Sequence, residues 1–188
     1  IAGLLSTAMA AQAAVIITNG EFNGPDNQAD VPDWFDGTNG TLAYQDTRIT
    51  NDTVTRPSGM SGGQLGFSGE EGAQNFAYQA IGTASGLLGF DFSLTSGSYQ
   101  TASETRQSDL VIGVYEQTGA FSAANGIDVD GAVGIALLDQ VSISSGGLAA
   151  GASVVLNGSL DLTGVSSPGN TLYLRLYQSN SAYMALDN

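Results

Sequence analysis

The chain contains no cysteine and no histidine, and its four basic residues are all arginine, so lysine is absent as well. Without cysteine there is no disulfide, no thiolate nucleophile and no thiolate-held metal. Without histidine there is no Ser-His-Asp triad and no imidazole base. The missing lysine excludes a P-loop phosphate contact, a Schiff base and a Lys-Asn cross-link. Arg48, Arg56, Arg106 and Arg175 face 18 Asp and Glu, leaving a net charge of −14. That field repels nucleic acid and anionic membrane surfaces, and no basic patch offsets it. Divalent cations, neutral glycans and basic partners remain. What the chain does have is 42% hydrophobic residues over 188 positions, with 26 glycines and 4 prolines. This suffices for one folded domain with a sizeable core.

No apolar run is long enough to span a membrane, which takes ~20 residues. The N-terminal stretch Ile1–Ala13 (IAGLLSTAMAAQA) is short, apolar and ends in small residues. It fits the hydrophobic region of a secretory signal, with Ala11-Gln12-Ala13 as the expected cleavage site and Ala8-Met9-Ala10 as a second candidate. Residues 1–13 are therefore expected to be a partial signal peptide, and residues 14–188 a single domain truncated at its C-terminus. Export to the extracellular space or cell surface follows. An exported chain without disulfides relies on core packing and on any metal it binds.

Beyond Ala14 the hydrophobic period is two. Phe76, Tyr78 and Ala80 alternate along QNFAYQAI, Phe90, Phe92 and Leu94 along GFDFSL, and Leu172, Leu174 and Leu176 along TLYLRLY. Such alternation marks strands with one face in a core. DLVIGVYE (109–116) and AVGIALL (132–138) are more continuously apolar, which predicts central strands. AVIIT, TLAY, SVVLNGSLDL and YMALD bring the expected set to about nine strands, separated by turn-forming clusters such as NGPDN, SGEEGAQ and SSPGN. No amphipathic helix and no fixed-period repeat is present. The fold class expected is all-β, an antiparallel β-sandwich of jelly-roll type.

Asn19-Gly20-Glu21-Phe22-Asn23 followed by Val31-Pro32-Asp33-Trp34 resembles the opening of galactose-binding-like jelly rolls, which includes many carbohydrate-binding modules. Tyr78-Gln79, Ile81 and the Phe90/Phe92 strand are similar to the middle of that family, and Tyr173–Leu176 through Ala185-Leu186-Asp187-Asn188 to its last hairpin. The same design is common in exported bacterial proteins of the PEP-CTERM class. Asn23 stands where the family carries Glu. The resemblance implies a structural Ca²⁺ between the first-strand turn and the last strand, matching Asn19, Glu21, Asn23 and Asp187, all oxygen donors of the kind calcium takes. For Asp187 a turn-capping hydrogen bond is the alternative. It also implies extracellular glycan or exopolysaccharide as partner, with cell-surface sorting through a tail beyond Asn188. An EF-hand is excluded, because around Asp128-Val129-Asp130-Gly131 the first ligand position is Gly126 and the bidentate Glu position is Leu137.

Sugars are held by aromatic faces stacked on their C–H surfaces, with polar groups on the hydroxyls. Tyr173, Arg175 and Tyr177 share the strand face opposite the leucines, and Trp34, the single tryptophan, sits in an Asp-rich loop. These four are the candidate carbohydrate contacts. The alternative packs Trp34 into the core at the barrel rim and has the tyrosines cover the second sheet. Paired carboxylates roughly 5 to 9.5 Å apart would make a glycosidase. The mid-chain glutamates, Glu70, Glu71, Glu104 and Glu116, lie in no catalytic motif. The leading expectation is a secreted non-catalytic β-sandwich binding carbohydrate. A structural matrix or surface protein making protein–protein contacts comes second, and a glycoside hydrolase third.

Overall fold

The computed structural model describes residues 15–18, 33–38, 47–50, 64–67, 75–96, 109–144, 152–178 and 184–187. Among them are ten strands and no helix: β1 (Phe35–Thr38), β2 (Thr47–Thr50), β3 (Gln64–Phe67), β4 (Asn75–Gly82), β5 (Leu87–Ser96), β6 (Asp109–Gln117), β7 (Ile135–Ser144), β8 (Ser153–Asp161), β9 (Leu172–Gln178) and β10 (Met184–Asp187). They form two five-stranded sheets, ordered β1-β4-β9-β6-β7 and β2-β3-β10-β5-β8. Every pairing is antiparallel. From β3 to β6 and again from β7 to β10, each successive strand crosses to the other sheet. The chain is thus an antiparallel β-sandwich with jelly-roll winding.

The period-two pattern does what it predicts. Leu172, Leu174 and Leu176 of β9 point into the space between the sheets, with Ala77 and Ile81 of β4 and Leu110, Ile112 and Val114 of β6. Facing them from the other sheet are Phe92 and Leu94 of β5 and Leu156 and Leu160 of β8. All twelve are at most 7% exposed, so this layer supplies most of the hydrophobic driving force.

Two sequence expectations are corrected. AVIIT is not a strand where the structure describes it, over Val15–Thr18. Since β1 pairs with β4 only as far as Tyr78, the next residues of β4 have a free edge, and this segment lies along it. The Ile16 N–H donates to Ile81 O at 3.2 Å. The Gln79 side chain then substitutes for a ladder, accepting from Thr18 N at 2.8 Å and donating to Thr18 O at 2.9 Å. AVGIALL is not a central strand either. Ala132–Gly134 form a turn, and β7 begins at Ile135 on the sheet edge. Its continuous apolar look comes from a bulge: Val114 faces Asp139 and Tyr115 faces Leu137, so Leu138 is an extra residue and the inward phase shifts. TLAY lies outside the described residues.

At this side of the sandwich Asp139 joins the two sheets. One of its carboxylate oxygens accepts from Gln140 N on β7 (2.9 Å), and the other from Asp161 N on β8 (2.7 Å). A single side chain therefore caps amides on both edge strands, where exposed donors invite pairing with other chains.

Candidate functional site

The outer face of the β1-β4-β9-β6-β7 sheet is aromatic. Directly paired residues share a face, so the register sets two rows across it. The first runs Phe35, Tyr78, Arg175, Gly113, Gln140, and the second Gly37, Phe76, Tyr177, Val111, Ser142. Tyr173 and Tyr115 extend the face toward the β6–β7 turn.

Residues 118–134, between β6 and β7, fold back over half of this face as a strap. A long connection without strands of its own usually serves a function. Phe121, Ala123 and Val129 of the strap pack on Phe76, Tyr78, Tyr115 and Tyr173, making a second apolar cluster outside the sandwich core. Tyr78 Oη donates to Ala124 O and accepts from Ala124 N, both at 3.2 Å. Gly126 N donates to Asp36 O at 2.7 Å, and Asn125 Oδ1 accepts from Asp36 N at 3.2 Å. Here the strap runs so close to β1 that a Cβ on Gly37 would lie 2.8 Å from Phe76 Cζ and 3.0 Å from Gly126 Cα. At the far end Gly134 closes the turn with φ +80°, its carbonyl accepting from Thr118 N and Gly119 N.

The strap's charged anchor is Asp128. It takes Arg175 Nε on Oδ1 at 2.7 Å and Nη2 on Oδ2 at 2.5 Å, and both side chains are under 9% exposed. Burial alone would lower the guanidinium's pKa, but Asp128, with Tyr115 and Asp130 adding, holds it above the usual arginine value. The Arg175 plane also lies 4.2 Å from the centre of the Tyr177 ring, a cation–π contact. Burial raises the phenol pKa of Tyr78, Tyr173 and Tyr177 and pushes Tyr115 up to about 12, so all four are neutral at physiological pH. The Tyr115 hydroxyl is buried with no hydrogen-bond partner among the described residues.

The four expected sugar contacts thus separate. Trp34 packs in the inter-sheet core at 5% exposure, turned inward behind Asp33, whose φ of 68° is one that Asp tolerates. Tyr173, Arg175 and Tyr177 do face away from that core. The strap covers the first two, at 6% and 3% exposure, because their apolar and charged surfaces find partners in Phe121 and Asp128. Tyr177 keeps a half-exposed ring. Beyond the strap it lies in line with half-buried Val111 and exposed Ser142, with exposed Gln140 in the neighbouring row. This open half is apolar in the middle and hydroxyl- and amide-bearing at the β7 edge. Sequence reading missed the strap, although the long interval between DLVIGVYE and the β7 strand was its signal.

Of the glutamates considered for catalysis, Glu116 is the one with a described side chain. It is 2% exposed at the end of the sandwich, enclosed by the β8–β9 connection. Its carboxylate accepts from Ser166 N, Ser166 Oγ and Ser167 N, and from Asn170 Nδ2 at 2.7 Å. Burial raises its pKa, but these donors outweigh it and hold the group below the ordinary glutamate value. A carboxylate so engaged fastens a loop and is poorly suited to donate a proton.

Among the expected calcium ligands, Asn19, Glu21 and Asn23 lie outside the described residues. Asp187 ends β10, paired through its backbone with Ser93. Among the described residues no three Asp or Glu cluster in a way that could hold a metal.

No protein-family model and no curated protein matches the chain. Solved structures do. The CBM22-1 xylan-binding domain of Xyn10C from Paenibacillus barcinonensis superposes with a TM-score of 0.50 at 13% identity, over 95% of this chain and 94% of that one. A CBM4 structure gives 0.50 at 12% identity, over 92% and 96%. An arabinose-bound α-L-arabinofuranosidase, MgGH51, gives 0.55 at 14% identity, over 96% of this chain but 26% of its own. At these identities the likeness establishes the β-sandwich fold.

Proposed function

We propose that the chain is an exported, non-catalytic β-sandwich that binds extracellular carbohydrate on the open half of its aromatic sheet face. The observation that carries the proposal is the row Tyr177–Val111–Ser142 with Gln140 beside it. Arg175 backs the Tyr177 ring from the strap side, so the ring is held in place before any ligand arrives. A preorganised aromatic loses little freedom on binding and offers its free surface to the C–H side of a sugar ring. The hydroxyl of Ser142 and the amide of Gln140 supply donors and acceptors for sugar hydroxyls. Tyr173 and Arg175 serve as supports beneath the strap, and Trp34 as core. The carbohydrate-related neighbours of the same fold are in keeping with this reading. Sorting to the cell surface by a tail beyond Asn188, and a structural Ca²⁺ on Asn19, Glu21, Asn23 and Asp187, belong to the same proposal.

The test is affinity electrophoresis of the exported chain against a panel of soluble polysaccharides, followed by Tyr177→Ala. The substitution is expected to weaken retention on the order of tenfold and to lower the melting temperature only slightly, since the ring is half exposed. Unchanged retention in the variant would remove Tyr177 from the site. The second reading, a matrix protein making protein–protein contacts, draws on Val133 at 90% and Val155 at 61% exposure near the β7 and β8 edges. It predicts self-association in sedimentation with no retention by any polysaccharide.

A further inference from the structure

We infer that the ligand of this face is an uncharged polysaccharide, and that carboxylated or sulfated glycans are rejected. The inference rests on the carbohydrate reading above and adds the class of sugar. An acidic glycan needs a cation with free donors at the site, normally an arginine fork. Among the described residues Arg175 is the arginine placed there, and its guanidinium is already committed. Nε and Nη2 go to Asp128, the plane lies against Tyr177, and the side chain is 4% exposed. Nor can the pair open cheaply toward a ligand, because a buried arginine that loses its partner is strongly destabilising.

Among the described residues, the groups that remain accessible on this row are neutral. Tyr177 is a protonated phenol with a raised pKa, Val111 is apolar, and Gln140 and Ser142 carry an amide and a hydroxyl. Among the described residues the formal charge beside them is negative: Asp130 is exposed on the strap, close enough to Tyr177 to help raise its pKa. The whole chain adds −14. A uronate or sulfate placed on the Tyr177 row meets like charge at short and long range and, among the described residues, finds no free counter-ion to offset its lost hydration. A neutral chain incurs neither cost.

Matched polymers that differ in charge alone provide the test. The exported chain is run in affinity gels holding hydroxyethyl cellulose or carboxymethyl cellulose, galactan or polygalacturonate, and arabinoxylan or glucuronoxylan. Each comparison is run with calcium and again with EDTA, so that cation bridging between carboxylates and loss of a bound ion are told apart. At least one neutral polymer is expected to retard the protein, and its carboxylated partner to do so at least about tenfold more weakly. Added salt should narrow the gap, because the discrimination is electrostatic. Gln140→Ala, at an exposed position, should weaken the neutral interaction without loss of folding. A carboxylated polymer bound as tightly as its neutral partner overturns this inference and leaves carbohydrate binding standing. No retardation by any polymer overturns the carbohydrate reading and this inference with it.

Discussion

At the scale of single residues, Arg175 shows how one side chain can be legible in type and illegible in role. Its alternation with Tyr173 and Tyr177 against three leucines correctly predicts which face of β9 it occupies. Its partner could not be read, because Asp128 lies 47 residues away on a connection whose path depends on the whole sheet. Once paired and buried, the two charges are interdependent. Asp128→Ala would leave an uncompensated guanidinium under the strap and is expected to cost about 3 kcal/mol in denaturant unfolding, the lower end of the range for such pairs. Replacing both, as Asp128→Leu with Arg175→Met, should be milder than the single change, since no lone charge remains. A double variant as unstable as the sum of the singles would show that the pair acts through packing and not through charge. The same reasoning explains the position of Trp34. A tryptophan next to Asp33 and Asp36 reads as a loop residue, yet the left-handed turn at Asp33 directs it into the core.

At the scale of elements, the strands were largely legible and the connections were not. β4, β5 and β9 coincide with period-two runs because a half-buried strand imposes that period on its residues, and β6 coincides with a continuously apolar run. β7 was mislocated because a bulge hides its phase, and Val15–Thr18 because a glutamine side chain replaces a ladder. Connections carry no such period. The β8–β9 connection contains SSPGN, which reads as a turn, but its attachment to Glu116 is set by tertiary contact. That attachment gives a pH dependence. The folded pKa of Glu116 is held below its unfolded value, so its contribution is complete above the unfolded pKa. It is lost as pH falls through the folded pKa. Glu116→Gln keeps the shape and removes the charge. The wild type should exceed it by on the order of 1 kcal/mol at neutral pH, the net worth of hydrogen bonds to a charged group. The difference should shrink below about pH 4.5. Melting curves of both proteins between neutral and acid pH measure it, and a gap that does not change with pH would mean the carboxylate's charge plays no part.

For the whole molecule, the question is how a chain without disulfides secures its ends. The C-terminal strand is already secured: β10 lies in the middle of its sheet, hydrogen-bonded to β3 on one side and β5 on the other. Among the described residues, Val15–Thr18 is held by one backbone bond from Ile16, the two-way contact between Thr18 and Gln79, and Val15 packed on the core. Asn19, Glu21 and Asn23 follow Thr18 in sequence, and Asp187 ends the central strand of the opposite sheet. A calcium ion held by these four would tie the segment after Thr18 to β10. A ligand that binds only the folded state stabilises it by RT ln(1 + [L]/Kd), about 2.7 kcal/mol at a hundredfold excess. Millimolar calcium reaches that excess if the Kd is near ~10⁻⁵ M, within the range of protein calcium sites. The melting temperature should then rise by several degrees with calcium and fall with chelator. Magnesium should do less, since it demands a tighter octahedron and gives up water reluctantly. Asp187→Ala should remove most of the calcium response while leaving both β10 ladders intact, because those bonds are backbone. Metal-stripped protein that melts identically with and without calcium would sink the calcium site and leave Asp187 as an ordinary strand-end residue.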